Sequence, residues 1–226
     1  MSFVVRLNNK ANNLREKVIT DLYRAKGMLK HFYWRQKMKK EGNPTVKDLL
    51  KLIPAFEVVS FDIFDTALKH KISDWFEIFR ILAKELGRLE GFKKIDFVRY
   101  RKEAYHKAFE KVSEKKNFYG EPFGEVDIKE IYEAFCDLTG LPGHMSGKMA
   151  ALEEVLELAL SYQNKEIKDV YDKCLAYNKR VVFVSDMYLP LSAIKKMLEN
   201  AGYKNPEIYL GSDLRMTKYS GGLFQY

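Results

Sequence analysis

The stretch that decides the fold runs from Phe56 to Leu68 and reads FEVVSFDIFDTAL. It begins with β-branched and aromatic residues, which are typical of a strand buried on both faces of a sheet. The run stops at Asp62 and Asp65, and Thr66 follows them. A buried carboxylate is costly unless it is paired or functional, and ligands of open α/β sheets lie beyond strand ends. Asp62 is therefore a candidate nucleophile or metal ligand. The alternative is a strand that ends in a solvated acidic turn.

Two later stretches have the same character. Residues Arg180–Pro190, RVVFVSDMYLP, contain a second apolar strand that ends at Ser185. A weaker third strand covers Glu207–Leu210, and Lys218 follows shortly after it. Helical segments separate the strands, which predicts a parallel sheet. Because a parallel sheet gathers its strand ends at one edge, we expect Asp62, Ser185 and Lys218 to meet there.

The chemistry that uses such a trio is phosphoryl transfer through a covalent aspartyl-phosphate. In that reaction a carboxylate attacks phosphorus in line with the leaving group. A hydroxyl and a lysine hold the phosphate oxygens and neutralise the developing charge. A divalent cation usually screens the repulsion between the carboxylate and the phosphate.

The sequence resembles the haloacid dehalogenase superfamily over residues 55–226. The segments FDIFDT, VSD and MTKYSGGLF are similar to the first, second and third motifs of that superfamily. Together they are most similar to predicted hydrolases found with bacterial capsule and surface-polysaccharide genes, often beside glycosyltransferases. The resemblance implies an α/β fold with a Rossmann-like parallel core and a helical cap that closes over the site.

The resemblance also implies roles for single residues. Asp62 would be the nucleophile and a Mg²⁺ ligand, with the backbone carbonyl of Phe64 as a second ligand. Ser185 and Thr66 would bind phosphate, and Lys218 would steady both the phosphate and the nucleophile. The superfamily's general acid–base aspartate has no counterpart at Phe64, and the next aspartate is Asp65. Protonation of the leaving group is therefore left to Asp65 or to a cap residue, or the activity has been lost.

A fourth acidic motif of the superfamily, which completes the Mg²⁺ site on a further strand, is not found before Tyr226. We therefore expect a core that is truncated at its C-terminus, or one that another chain completes. An uncovered first strand would leave an apolar sheet edge exposed. We also expect the polypeptide to bind Mg²⁺ poorly by itself.

The resemblance and the breaks in pattern divide the chain into three regions. Residues 1–54 are expected to form a basic helical arm, 55–69 with 153–226 the core, and 70–152 the cap. Within the insertion, helices are predicted to begin at Ser73, Asp96 and Asp127, the third to end at Gly140, and a last helix to run from about Met149 to Tyr162. The net charge of +8 belongs to the arm, because residues 1–55 contain 13 Lys and Arg against 4 Asp and Glu. The rest of the chain is nearly neutral.

The arm is predicted to be a helix over residues 12–40, with one apolar stripe and many cations. It has three candidate roles: contact with an anionic membrane surface, docking to a partner such as a glycosyltransferase, or packing on its own domain. Nucleic acid is disfavoured, since no recognised binding motif is present. The sequence has no apolar run that would span a bilayer and no secretory signal. We expect a cytoplasmic protein, with the arm a candidate for peripheral contact with the inner membrane.

The predicted function is hydrolysis of a small phosphorylated metabolite, such as a sugar- or polyol-phosphate, in polysaccharide biosynthesis. The alternative is a catalytically weak binding or scaffold module that docks a glycosyltransferase or a membrane through the arm. The candidates for substrate contact in the cap are polar residues of one predicted helix: Arg99, Arg101, Lys102, Tyr105 and His106. Glu153 and Glu157 share a helix face, and we expect that face to be solvated. We expect Asp186 to cap the helix that begins near Leu191, and the alternative is that it orients the phosphate-binding loop.

Overall fold

The computed structural model describes residues 45–72 and 74–224 of the 226-residue chain. The helix predicted over residues 12–40, and Ser73, which the sequence marks as a helix cap, lie outside the described residues. A compact unit begins at Leu49 and contains both the sheet and the helices that follow it. None of the helices in the described ranges is long and apolar enough to cross a membrane.

The described residues form a mixed α/β structure. Its strands are β1 (Val58–Asp62), β2 (Leu68–His70), β3 (Ser161–Gln163), β4 (Arg180–Ser185) and β5 (Glu207–Leu210). Its helices are α1 (Val46–Leu52), α2 (Glu77–Leu86), α3 (Phe97–Ser113), α4 (Ile128–Thr139), α5 (Met145–Leu160), α6 (Lys165–Ala176), α7 (Leu191–Asn200) and α8 (Gly211–Leu214). Short 3₁₀ turns cover Ile53–Ala55, Glu90–Phe92 and Gly222–Phe224.

The three strands predicted from apolar runs form one parallel sheet in the order β1-β4-β5, which confirms the expected α/β class. In the register, Asp62 lies opposite Val184, and Ser185 lies opposite Leu210. The carboxyl ends of all three strands therefore meet at one edge of the sheet. That edge carries the residues predicted to act on phosphate.

The prediction that β1 is buried on both faces is wrong. Val58 is 47% exposed and Ser60 is also exposed, whereas Phe61 is buried. The cause is the strand's position, because in the described sheet β1 pairs with β4 on one side only. Its apolar residues are therefore covered near the carboxyl end and open to solvent near the start.

Aromatic rings fill one face of the sheet. Phe61 and Phe183 lie 5.9 Å apart between ring centroids, and Phe183 meets Tyr203 edge-on at 5.2 Å. Tyr171, from α6, packs against both Phe61 and Phe183. Offset and edge-to-face contacts of this kind add to the free energy of burial. They hold α6 against the centre of the sheet.

A smaller cluster covers the opposite face. Its buried members are Val182, Val184, Met216 and Leu223. Alternation along β4 explains the division, since successive strand residues point to opposite faces. Met216 and Leu223 come from the loop that carries Lys218, so this cluster anchors that loop beneath the sheet edge.

A long insertion separates β1 from β4, and helices α2 to α5 within it pack against one another in chain order. Two predicted helix starts are confirmed: Asp96 caps α3 by accepting from the Arg99 amide, and Asp127 forms a capping box with Glu130 at α4. Gly140 ends α4 in the left-handed conformation, with φ of 72°. These local hydrogen bonds satisfy backbone groups that a helix end leaves open.

The pairing of β2 with β3 was not predicted. These short antiparallel strands join the chain just after β1 to the chain just after α5, with Lys69 opposite Tyr162. Sequence periodicity assigned Tyr162 to a helix, but α5 ends at Leu160. Three-residue strands carry too little pattern to be recognised, and long-range pairing decides them.

Candidate functional site

Asp62 is the last residue of β1 and lies at the start of a tight turn. The Leu68 amide donates to the Ile63 carbonyl at 2.8 Å, and the Ala67 amide donates to the Asp62 carbonyl at 3.4 Å. Ile63 and Ala67 are fully buried, so they anchor the turn in the core. The Thr66 hydroxyl donates to Asp62 Oδ2 at 3.1 Å. The turn therefore holds the Asp62 carboxylate at the sheet edge with a hydroxyl beside it.

Lys218 reaches Asp62 from the far end of the chain. Its ammonium hydrogen-bonds Asp62 Oδ1, and the two residues are 156 positions apart in sequence. The side chains of Lys218 and Asp62 are 29% and 39% exposed, so solvent and a small ligand have access to the pair. The pair sets a carboxylate beside a cation at the edge where α/β proteins bind ligands.

The loop around Lys218 is held by its backbone. The Lys218 amide donates to Asp186 Oδ1 at 2.8 Å, and the Gly221 amide donates to the Lys218 carbonyl at 3.0 Å. Gly211 lies under this loop, where a Cβ would be 2.7 Å from the Met216 carbonyl oxygen. Only glycine fits such a close backbone approach without displacement. These backbone contacts fix the position of the loop independently of the Lys218 side chain.

Ser185 ends β4, next to β1, and is buried. Its hydroxyl oxygen accepts from the Met187 amide at 3.3 Å. The strand register brings Ser185 to the same edge as Asp62, one strand away. Asp62, Thr66 and Lys218 are thus in direct contact, and Ser185 lies beside them on the neighbouring strand.

Asp186 does not cap the following helix, so that expectation is wrong. Helix α7 begins after Pro190 without a side-chain cap, and the Asp186 carboxylate accepts from the Lys218 amide instead. Burial raises the pKa of Asp186 above its usual value, and the nearby charge of Asp62 adds to that rise. The Lys218 amide and ammonium oppose it. The Asp186 carboxylate therefore bonds a loop that is distant in sequence, and it does not bond the helix that directly follows it.

Phe64 and Asp65 belong to the same turn as Asp62, but their surroundings differ from those of the Lys218 contact. The Phe64 ring stacks on the His70 imidazole, with centroids 5.4 Å apart and an interplanar angle of 9°. Asp65 is exposed and has a φ of 57°. A left-handed aspartate is uncommon, and residues with such backbone angles are enriched at functional sites.

Sequence reasoning missed a buried polar cluster beside the site. Glu153 and Glu157, expected on a solvated face, are both fully buried. Arg101, a candidate for substrate contact, is also buried and forms a bidentate ion pair with Glu153. The spacing of Glu153 and Glu157 showed that they share a helix face. No local signal identifies Arg101, 52 residues earlier, as the partner.

The other cap residues considered as substrate contacts lie nearer the surface. Lys102 places its ammonium 3.6 Å from the centroid of the Phe76 ring. The Tyr105 hydroxyl donates to Glu125 Oε1 at 3.1 Å, and burial raises the pKa of both groups. His106 is exposed. None of these contacts reaches Asp62.

Within residues 45–72 and 74–224, no group of three or more His, Cys, Asp or Glu side chains is arranged to hold a metal ion. The carboxylates of Asp62 and Asp186 are the acidic groups at the sheet edge close to Lys218. In a comparison with protein-family models the chain matches none. No curated protein matches it either.

Proposed function

We propose that this chain is a phosphatase-type hydrolase of the haloacid dehalogenase superfamily, which forms an aspartyl-phosphate on Asp62. The observation that carries the proposal is the contact between the Lys218 ammonium and Asp62 Oδ1. A free carboxylate repels a phosphate, and an adjacent cation reduces that repulsion while stabilising charge in the transition state. Partial exposure of both side chains leaves access for a phosphoryl group.

The proposed reaction has two steps. In the first, an oxygen of Asp62 attacks phosphorus, the bond from phosphorus to the leaving oxygen breaks, and the leaving oxygen takes a proton from Asp65. In the second, water attacks phosphorus while Asp65 accepts the water's proton. The bond from phosphorus to Asp62 then breaks, which restores the carboxylate and releases phosphate. Splitting one displacement into two is the usual gain from a covalent intermediate.

Other residues of the turn and strand ends have supporting roles in this proposal. The Ser185 and Thr66 hydroxyls donate to phosphoryl oxygens, and Lys218 neutralises their charge. Phe64 carries no exchangeable proton, which is why the acid–base role is assigned to Asp65. Asp65 is the next carboxylate in the same turn, and its exposed side chain is open to solvent and to ligands.

The proposal includes Mg²⁺ as the cofactor. Mg²⁺ prefers oxygen ligands, keeps several waters and is usually bound through one or two carboxylates. The Asp62 carboxylate and the Phe64 carbonyl would hold it. Both are oxygen donors of the kind that Mg²⁺ prefers, but two protein donors give weak binding, as the sequence leads us to expect. When bound, the ion would withdraw charge from the phosphoryl oxygens. Nucleophilic attack, proton transfer and phosphate binding are assigned to the side chains described above.

The substrate proposed is a small phosphorylated metabolite, such as a sugar- or polyol-phosphate used in polysaccharide biosynthesis. This part rests on the sequence resemblance and not on a contact. The helical insertion between β1 and β4 supports it, since its helices lie beside the site and would enclose a small ligand.

The test is release of inorganic phosphate from a panel of sugar and polyol phosphates in the presence of Mg²⁺. We expect the wild-type chain to release phosphate and Asp62→Asn to release none, because an amide is a poor nucleophile. Lys218→Met should lower turnover about 100-fold or more, as loss of one charge-stabilising group does in other enzymes. Asp65→Asn should slow both steps.

Asp74→Asn is the matched control, because Asp74 is a partly exposed carboxylate that pairs with Arg80 and lies outside the site. It should leave turnover unchanged. Retention of wild-type turnover by Asp62→Asn, with its melting temperature unchanged, would remove Asp62 from the mechanism. A wild-type chain that releases no phosphate from any substrate would contradict the proposed activity.

A further inference from the structure

Three buried side chains from different parts of the chain meet around the carboxylate of Glu153, in α5. They are Arg101 of α3, Tyr132 of α4 and Tyr188 of the loop after β4. We call this group the Glu153 hub. Arg101 is 1% exposed and Glu153 is 0% exposed, so both charges lie inside the protein.

The hub satisfies each oxygen of Glu153 twice. Oε1 accepts from Arg101 Nη2 at 2.8 Å and from the Tyr188 hydroxyl at 2.7 Å. Oε2 accepts from Arg101 Nε at 3.0 Å and from the Tyr132 hydroxyl. The guanidinium also lies 4.9 Å from the Tyr188 ring centroid. A buried ion pair seldom adds net stability, but one whose carboxylate oxygens are both fully bonded restricts its neighbours to a single arrangement.

Tyr188 connects the hub to the candidate site. It follows Ser185 by three residues, in the loop that also carries Asp186. The Tyr188 carbonyl accepts from the Ile128 amide, at the start of α4, at 2.9 Å. The loop from β4 to α7 is therefore bonded to the insertion through both its backbone and its side chain.

A second connection lies on the other side of the site. Arg215, three residues before Lys218, donates to Asp127 Oδ2 at 2.7 Å and to Glu130 Oε2 at 2.6 Å. The Gly124 amide donates to the Arg215 carbonyl at 3.0 Å. The loop that follows Ser185, residues 186–190, is called the Ser185 loop below. This loop and the loop that carries Lys218 are thus both hydrogen-bonded to the first turn of α4.

We propose that the Glu153 hub is a positioning device, which fixes the Ser185 loop for anion binding and holds the insertion against the sheet in one arrangement. Arg101, Glu153 and Tyr188 act as positioning residues, not catalytic ones. A swinging cap would have to withdraw Tyr188 from a buried carboxylate, leaving that charge incompletely bonded, which is strongly unfavourable. The role in anion binding rests on the proposed function, whereas the fixed arrangement does not.

Two matched substitutions test the proposal, because Tyr188→Phe and Tyr132→Phe each remove one hydroxyl from the same carboxylate and keep the ring. Only Tyr188 belongs to the Ser185 loop. We expect Tyr188→Phe to weaken binding of inorganic phosphate about tenfold, the size expected for one hydrogen bond to a charged group. Tyr132→Phe should change that affinity less than about twofold. Isothermal titration calorimetry measures both.

Hydrogen exchange tests the fixed arrangement independently. In the wild-type protein the Ile128 amide, which bonds to the Tyr188 carbonyl, should exchange as slowly as the amides of β4. In Tyr188→Phe the Ile128 amide should exchange faster, and in Tyr132→Phe less so. If the Ile128 amide of the wild-type protein exchanges much faster than the amides of β4, the insertion is mobile and the proposal is wrong.

The two measurements separate the possible failures. If wild-type protein binds no phosphate but Ile128 is protected as expected, the proposed function fails and the fixed arrangement stands. If phosphate binds and both variants lose affinity equally, the hub supports only the general stability of the fold, and its positioning role is wrong.

Discussion

Neighbouring groups decide what each carboxylate of this protein can do. Asp62 is partly exposed and shares a hydrogen bond with Lys218, so it remains available to a ligand. Glu153 is buried with both oxygens fully bonded, which suits a structural role. Glu157, one turn further along the same helix, bonds His70 through Oε2 at 2.9 Å. Its buried Oε1 has no hydrogen-bond partner among the residues that the structure describes. The three acids therefore differ in exposure and in hydrogen bonding although they are the same chemical group.

Glu157 predicts a pH dependence of stability. Burial raises its pKa above the usual 4.5, and the bond to His70 only partly offsets this. The folded state therefore binds the proton more tightly than the unfolded state. This contribution to stability is complete below about pH 4.5 and is lost as the pH rises through the raised pKa. We expect Glu157→Gln, which is neutral and similar in shape, to lose less stability than the wild type as the pH is raised above about 4.5.

Urea unfolding at several pH values measures this difference in slope. Glu166→Gln is the control, since Glu166 is an exposed carboxylate on α6. Its slope should match that of the wild type. Parallel slopes for Glu157→Gln and wild type would show that Glu157 does not take up a proton on folding.

At the scale of elements, side chains reinforce the pairing of β4 with β5. Arg180, the first residue of β4, donates to Glu207 Oε2 at 3.1 Å, and the Tyr209 hydroxyl donates to Glu207 Oε1 at 2.7 Å. The bond from Arg180 is the main reason that the pKa of Glu207 is lowered to about 2. These side chains lie at the end of the sheet opposite the candidate site, so their role is structural.

Removing the guanidinium should release the Glu207 carboxylate. We expect Arg180→Ala to raise the pKa of Glu207 from about 2 toward its usual 4.5, as followed by NMR titration of the side-chain carboxyl. The ion pair stabilises the fold above about pH 4.5 and is lost as the pH falls through about 2. Because both side chains are largely exposed and screened by solvent, we expect only a small change in the free energy of unfolding.

Lys195→Ala is the control for that titration. Lys195 and Glu199 form a similar exposed pair on α7, away from the sheet. This variant should leave the pKa of Glu207 near 2. A Glu207 pKa that stays near 2 in Arg180→Ala would assign the shift to Tyr209 instead.

On the scale of the whole molecule, the strand order makes β4 the centre of the sheet and β1 an edge in the described residues. Phe183 of β4 is 1% exposed and contacts rings from β1, α6 and the chain after α7. We expect Phe183→Ala to lower the free energy of unfolding by about 3–5 kcal/mol, the usual cost of a large cavity in a core. Chemical denaturation measures this loss.

Val58→Ala, in the exposed part of β1, should cost less than about 1 kcal/mol, since little buried surface is lost. The two variants together test the topology, because a β1 covered on its outer side would make Val58 nearly as sensitive as a core residue. A cost of several kcal/mol at Val58 would contradict the edge position.

Much of the secondary structure follows from local sequence. The apolar runs before Asp62 and Ser185 predicted β1 and β4, and Asp96, Asp127 and Gly140 marked helix ends that the structure confirms. These predictions succeeded because strand periodicity and helix caps depend on residues within a few positions. The three-residue strands β2 and β3 were missed, since their pairing joins segments about 90 residues apart.

By itself the sequence determined the α/β class, the three parallel strands and the candidate residues Asp62, Ser185 and Lys218. The tertiary structure alone decided that the Lys218 ammonium bonds Asp62, that Asp186 holds the Lys218 loop, and that Glu153 is buried against Arg101. The physical reason is the separation in sequence between the interacting residues. Hydrogen-bonded turns and caps are complete within one short segment, whereas burial and charge pairing depend on which distant segments the sheet brings together.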